Sequence, residues 1–365
     1  MTNLATDFPM TRYLVEQDVF ENDSFVLIDV GCEGGIHKRW HVFGKQLKAY
    51  GADPLVHEIE RLRREETNSN VSYSSGFIGL PAEHPVMVSR GGKQPWGNNP
   101  WSRLSAAWAA EIRASRDPAS EGDVLERTLA ESSNRIRLTE FVRDRIDSVD
   151  FVKVDVDGED LYVLLSGEDI LRDDQMLGLE VEVNFFGTAC ETDNTFHNID
   201  RLMRAHGYEL FDLTVKRYSR RAMPAPFVYD LVAEAKWGAP VQGDAFYARD
   251  LVGQASRSPS FSMSNGKLLK MAAVHELFGL PDCAAEILIA FKERLGELVD
   301  VAHLLDMLTP PFNGHAIRYQ QYCGIFAEDP TEFYPTQAEV SQPQSPNRFS
   351  FRSKLRRVLR QLSDF

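Results

Sequence analysis

The stretch FVKVDVDGEDLYVLL, from Phe151, places Asp155, Asp157, Glu159 and Asp160 directly after an apolar, β-branched run. Such a run reads as a buried strand, so Asp155 leaves the sheet at its carboxyl end. An acid held there can orient an amino group or take a proton from a hydroxyl. Glu159 and Asp160 fall in the first turn of the next helix, where negative charge suits the macrodipole and asks for no further role. A second polar set lies in LGLEVEVNF, where the two-residue period puts Glu180, Glu182 and Asn184 on one face. Three polar groups on one face of a central strand are costly in an apolar core. Two readings stand. Glu182 joins Asp155 around a substrate hydroxyl or a hard cation such as Mg²⁺, or these acids bond to backbone amides and a basic side chain. His197, on the helix after that strand, and His37 are candidate general bases because histidine titrates near neutral pH. A surface or satisfied histidine is the plainer reading of both.

A third set is Asp29-Val30-Gly31-Cys32-Glu33-Gly34-Gly35, which follows the apolar run FVLIDV. Glycines let a backbone turn tightly and approach a ligand closely. A dinucleotide turn would read GxGxxG; here Glu33 replaces a glycine and would oppose a pyrophosphate. A cofactor without phosphate tolerates that acid. S-adenosylmethionine is one, and its sulfonium and ammonium favour nearby carboxylates. Asp53, about 22 residues beyond Gly31, ends LKAYGADP where an acid takes ribose hydroxyls. Its alternative role is to cap the helix starting at Pro54. The cofactor set is therefore Asp29, Gly31, Glu33, Gly35, Asp53 and Asp155.

Positioning these groups requires a sheet. Strands are predicted at 25–30, 47–54, 71–80, 151–156, 176–185 and 208–215, alternating with helices at 36–48, 55–66, 137–146, 159–171 and 194–207. That alternation predicts an α/β, Rossmann-like, mostly parallel sheet with helices on both faces. The catalytic-domain boundary is expected near 255, with a long insertion at about 81–135. Trp96, Trp101 and Trp108 lie in the insertion, where their rings either face a sugar or anchor the insertion. A helical C-terminal extension is expected at 256–340, then a linker and a basic amphipathic helix within 341–365. In that helix Phe351, Leu355, Val358, Leu359 and Leu362 line one face. Such a helix contacts an anionic membrane or acidic partner through residues 349–365, or packs on the protein itself.

A net charge of -14 weighs against nucleic acid as a partner. The four cysteines, Cys32, Cys190, Cys283 and Cys323, are widely spaced and fit a reducing compartment. No apolar run is long enough to span a bilayer, and the first residues lack the basic start and apolar run of a secretory signal. The expected location is cytoplasmic, with the basic tail as a route to peripheral contact with the inner membrane face.

In order, FVLIDVGCEGG, LKAYGADP, RIRLTEFVRDRIDSVDFVKVDVDGEDLYVLLSGE and LGLEVEVNF resemble the FkbM-like family of S-adenosylmethionine-dependent methyltransferases. The resemblance spans residues from about 25 to 215. It implies a class I methyltransferase sheet and O-methylation of a carbohydrate or glycolipid of the surface-polysaccharide type. A polyketide or other small metabolite is the alternative acceptor. Glu33 and Gly34 stand where the family usually has Asn and an aliphatic residue, and Asp53 stands where Glu is more frequent. A scaffold without activity is the non-enzymatic alternative, against which the intact set Asp29, Gly31, Gly35, Asp53 and Asp155 speaks.

Overall fold

The computed structural model describes residues 7–90, 135–143, 145–146, 148–156, 158–220, 222–223 and 234–334. Asp157, Trp96, Trp101, Trp108 and the basic tail lie outside the described residues. Among the described residues nine strands form: β1 Phe25–Val30, β2 Leu47–Asp53, β3 Val71–Ser75, β4 Phe77–Ile78, β5 Arg135–Ile136, β6 Phe151–Val154, β7 Gly178–Asn184, β8 Glu209–Tyr218 and β9 Ala239–Ala248. Seven of them make one sheet in the order β3-β2-β1-β6-β7-β9-β8, and β4 pairs with β5 apart from it. β1 with β6, β6 with β7, and β2 with β3 are parallel, whereas β9 runs antiparallel to both β7 and β8. This is the Rossmann-like, mostly parallel sheet that the alternation of elements predicts.

Three elements depart from the sequence expectation. The third strand stops at Ser75, and Phe77–Ile78 joins the small sheet instead. Residues 38–46 form a 3₁₀ segment interrupted at Gly44, whose φ is +53°. β9 was not expected at all. Its sequence APVQGDAFYA carries Pro, Gly and Asp, which dilute strand propensity, yet it pairs with β7 continuously from Ala248 to Gln242. Pairing with two neighbours overrides the local preference.

Alternation gives the centre of the sheet two unlike faces. Ile28, Val30, Val152, Val154, Leu179, Val181, Val183, Ala245 and Tyr247 pack on one side with Phe141, Leu161, Leu164, Ile199 and Met203. The alternate positions carry Asp29, Lys153, Glu180, Glu182, Asn184, Gln242 and Asp244.

The chain divides into two compact units, a sheet unit of residues 26–36 and 48–249 and a helical unit with described residues in 7–25, 37–47 and 250–334. In the helical unit the helix Asn265–Leu277 is buried along most of its length. Its Glu276 accepts from the Met10 and Thr11 amides at 2.9 and 2.7 Å and from the Thr11 hydroxyl at 2.6 Å. That carboxylate closes donors left open at the start of helix Pro9–Glu16. The Arg39 guanidinium lies 4.5 Å from the centre of the Phe278 ring, which Trp40 meets edge-on.

Candidate active site

At the carboxyl edge, β2, β1 and β6 close around Gly31. Its amide donates to the Ala52 carbonyl at 2.8 Å, and the Asp155 amide donates to the Val30 carbonyl at 2.9 Å. Gly31 has φ +86°, and a Cβ there would lie 1.9 Å from the Asp155 carbonyl oxygen. Only glycine allows this approach. Gly34 has φ +85°, but open space stands where its Cβ would project. Its amide donates to Glu58 Oε1 at 3.0 Å. A hydrogen bond from Arg61, opposed by partial burial and aided by the Gly34 amide, holds the Glu58 carboxyl below its usual range.

The acids named from sequence meet partners that sequence did not show. Asp29 is buried opposite Lys153, whose ammonium stands 3.1 Å from Asp29 Oδ1 and 3.5 Å from Asp155 Oδ2. Burial works against the Lys153 charge, but Asp29, Asp155 and Glu180 together outweigh it and raise its pKa. Lys153 thus joins the Asp29 turn and the FVKVD run into one network. The only trace in the sequence is its place between two strand residues of the FVKVD run.

Asp53 is fully buried and accepts from the Leu55 amide at 2.9 Å, ahead of a helix that begins at Val56. The bond to Leu55 is a turn role that coexists with any role toward a cofactor. Asn at 53 keeps an acceptor for the Leu55 amide and removes the charge. Asp53→Asn is therefore expected to retain its unfolding midpoint while S-adenosylmethionine binding, read by calorimetry, weakens by about 1.5 kcal/mol. Equal loss of both would confine Asp53 to the turn.

Asp160 does more than face a helix dipole. It is fully buried and accepts from the Val156 and Gly158 amides at 3.0 and 3.1 Å and from Asn194 Nδ2 at 3.0 Å. Asn194 in turn accepts from the Leu161 amide at 2.8 Å. Asp160 and Asn194 hold the turn that aims Asp155, whereas Glu159 pairs with Arg135 at its edge. Burial, opposed by the Val156 amide and assisted by the Asp155 charge, pushes the Asp160 pKa up to about 7. The folded state then holds the proton more tightly than the unfolded chain, so this group stabilises most in acid and least above pH 7. The stability margin of the wild type over Asp160→Asn is expected to shrink between pH 5 and pH 7 by about 1 kcal/mol or more. Urea unfolding at both pH values reads it, and a margin that grows with pH would contradict the assignment.

Glu182 is buried, and its Oε1 lies 3.5 Å from the Lys216 ammonium, which also meets Asp244 Oδ1 at 3.1 Å. Burial acts against the Lys216 charge, but Asp244, Glu182 and Asp155 together carry its pKa well above the ordinary value. Asp155 and Glu182 therefore each face an ammonium. Among the described residues no group of three His, Cys, Asp or Glu side chains is arranged to hold a metal. An Asp155–Glu182 cation does not fit this donor set, and no step is assigned to one. His197 is exposed on the helix Phe196–Ala205. His37 caps the 3₁₀ segment of the helical unit, its Nδ1 accepting from Arg39. A surface hollow is lined by Arg63, Glu66, Asn68 and Tyr73 at the amino end of β3.

Residues 82–210 match the model of the methyltransferase FkbM domain. The chain carries a methyltransferase FkbM domain. The matched span includes Asp155, Glu182 and His197, while the glycine turn and Asp53 precede it. No curated protein matches the chain. Among solved structures, a putative S-adenosylmethionine-dependent methyltransferase from Listeria monocytogenes is similar at 9% identity and a TM-score of 0.31, over 65% of this chain and 99% of that one. One from Aquifex aeolicus is 10% identical with a TM-score of 0.27, over 67% and 94% of the two chains. A TehB-like methyltransferase from Corynebacterium glutamicum is 11% identical with a TM-score of 0.26, over 67% and 89%. Likeness at this level carries no weight for the site.

The FkbM domain makes this an S-adenosylmethionine-dependent methyltransferase. The residues present fit that cofactor. The turn opens to free space at Gly34, as a bound ligand requires. Asp29, Glu33, Asp53 and Asp155 surround the turn with carboxylates, which suit the positive charges of the cofactor and would repel a phosphate. Among the described residues no helix is long and apolar enough to cross a membrane.

Proposed function

We propose that the enzyme methylates a hydroxyl of a carbohydrate or glycolipid acceptor of the surface-polysaccharide type. The observation that carries this reading is the placement of Asp155. It leaves β6 against the Gly31 turn, its side chain is 11% exposed, and Lys153 stands 3.5 Å away. When bound, S-adenosylmethionine supplies the electrophilic methyl group. Asp155 accepts the hydrogen bond of the acceptor hydroxyl and takes its proton as the new O–C bond forms. Lys153 fixes the orientation of Asp155 and compensates the buried Asp29, while Asp160 and Asn194 fix the backbone of the turn. The choice of a carbohydrate rests on the resemblance to the FkbM-like family and on the polar sheet face beside Asp155. Incubation with methyl-labelled cofactor and separate polysaccharide, glycolipid and small-metabolite fractions tests it. Label in the sugar fractions is expected. Label confined to polyketides or other small metabolites would favour that alternative, and failure to bind the cofactor would favour the inactive scaffold.

A lipid-borne acceptor would be met at a membrane, and the basic segment 349–365 supplies a means of contact. Each basic residue near an anionic surface contributes about 1 kcal/mol. The full chain is expected to sediment with anionic vesicles and a chain lacking residues 341–365 to remain in solution. A truncated chain that loses thermal stability, from a parent that ignores vesicles, would make the segment structural.

A further inference from the structure

β7, β9 and β8 lie side by side, and their register sets Asn184 opposite Gln242 and Gln242 opposite Lys216. Two residues further along, Glu182 faces Asp244. The Lys216 ammonium reaches both of those acids, at 3.5 and 3.1 Å, so these side chains share one face of the sheet. Asn184 and Gln242 are each 2% exposed. Asn184 donates its amide to the Asn194 carbonyl at 3.4 Å. Among the described residues neither Asn184 Oδ1 nor Gln242 Oε1 has a hydrogen-bond partner. Buried carbonyl oxygens without a donor are rare because each keeps the cost of leaving water. Here two of them sit on adjacent strands at the end of the sheet from which Asp155 emerges, and the Asp155 charge is felt at Lys216.

We infer that Asn184 and Gln242, beside Lys216, form a subsite that accepts hydrogen bonds from two hydroxyls of a neutral, polyhydroxylated acceptor. The subsite would hold the part of the acceptor next to the hydroxyl that Asp155 serves, and it rests on the hydroxyl-methylating reading above. The orphan atoms are both acceptors, so the ligand must donate. An anion is disfavoured because Glu182 and Asp244 outnumber the single ammonium of Lys216. A cation gains little because the acids that would draw it, Glu182 and Asp244, are already engaged by the Lys216 ammonium, the register neighbour of Gln242. A neutral hydroxyl pair satisfies both limits. Side chains directly opposite on adjacent strands stand about 5 Å apart at Cβ, close enough for their oxygens to take neighbouring hydroxyls of one ring.

The full-length protein with S-adenosylhomocysteine bound is tested by saturation-transfer NMR against methyl glucoside, methyl glucuronide and methyl glucosaminide. The wild type is expected to bind methyl glucoside in preference to both charged sugars. Gln242→Leu and Asn184→Leu are each expected to weaken that binding at least tenfold. The unfolding temperature of Gln242→Leu should stay equal or rise, since it removes an unpaired buried carbonyl. That of Asn184→Leu should fall by no more than the loss of its long bond to the Asn194 carbonyl accounts for, and S-adenosylhomocysteine affinity should not change. A fall of several degrees in unfolding temperature would make the amides structural and overturn the subsite. So would unchanged sugar binding by the variants, preference for a charged sugar, or a cofactor-loaded wild type that binds none of the three. Calorimetry with S-adenosylhomocysteine alone judges the methyl-transfer reading separately, whereas the subsite stands or falls on the glycoside result.

Discussion

Gly31→Ala is expected to cost about 3 kcal/mol or more of stability in the sheet unit and to abolish cofactor binding. Two effects combine. A φ of +86° disfavours any residue with a Cβ, and that Cβ would lie 1.9 Å from the backbone oxygen of Asp155. The clash is with backbone just beyond the end of the neighbouring strand β6, so no rotamer change relieves it. Either β1 and β6 separate at their ends or the turn moves, and both displace Asp155 from the cofactor loop. Gly34→Ala provides the control. Its φ is nearly the same, at +85°, but its Cβ would enter open space. It should lose only the conformational part, about 1–2 kcal/mol. Urea unfolding and calorimetry on the two variants separate conformation from contact. Equal behaviour would show that the close approach of Gly31 to Asp155 does not govern the site.

How far the sequence revealed this site depends on what each residue touches. Strands β1, β6 and β7 were legible because FVLIDV, FVKV and GLEVEVN are rich in β-branched residues, and β2 because the short run LKAYGAD ends at the turn signal Asp53-Pro54. Asp29, Gly31, Asp53 and Asp155 were legible as residue types at strand ends. Their partners were not. Lys153 meets Asp29 through a parallel register spanning more than a hundred residues of sequence, which no local pattern encodes. Lys216 was hidden for a second reason. Its contacts with Glu182 and Asp244 depend on β9, whose Pro, Gly and Asp masked the strand. Asp160 looked like a dipole acid because its position at a helix start is visible, while the amides it collects from Val156, Gly158 and Asn194 are not. Glu182 shows the consequence. Read alone it invites a metal, but beside Lys216 it becomes half of an ion pair.

Asp155→Asn is expected to lower turnover by about a hundredfold or more while leaving the fold intact. Asparagine keeps the size and most of the hydrogen-bonding capacity of aspartate but cannot accept the hydroxyl proton. The fold should tolerate the change because Lys153 retains Asp29 at 3.1 Å, the nearer of its two carboxylates. The Asp155 backbone is fixed independently by the hydrogen bond that its amide donates to the Val30 carbonyl. The kinetic pattern then distinguishes the two roles open to this side chain. Loss of turnover with cofactor affinity kept identifies Asp155 as the group that takes the proton. Loss of affinity in proportion to turnover would instead place it on the amino group of the cofactor. If both quantities stay near wild type, the acid that follows the buried run FVKV serves only the turn, and proton transfer must belong to another residue at this edge.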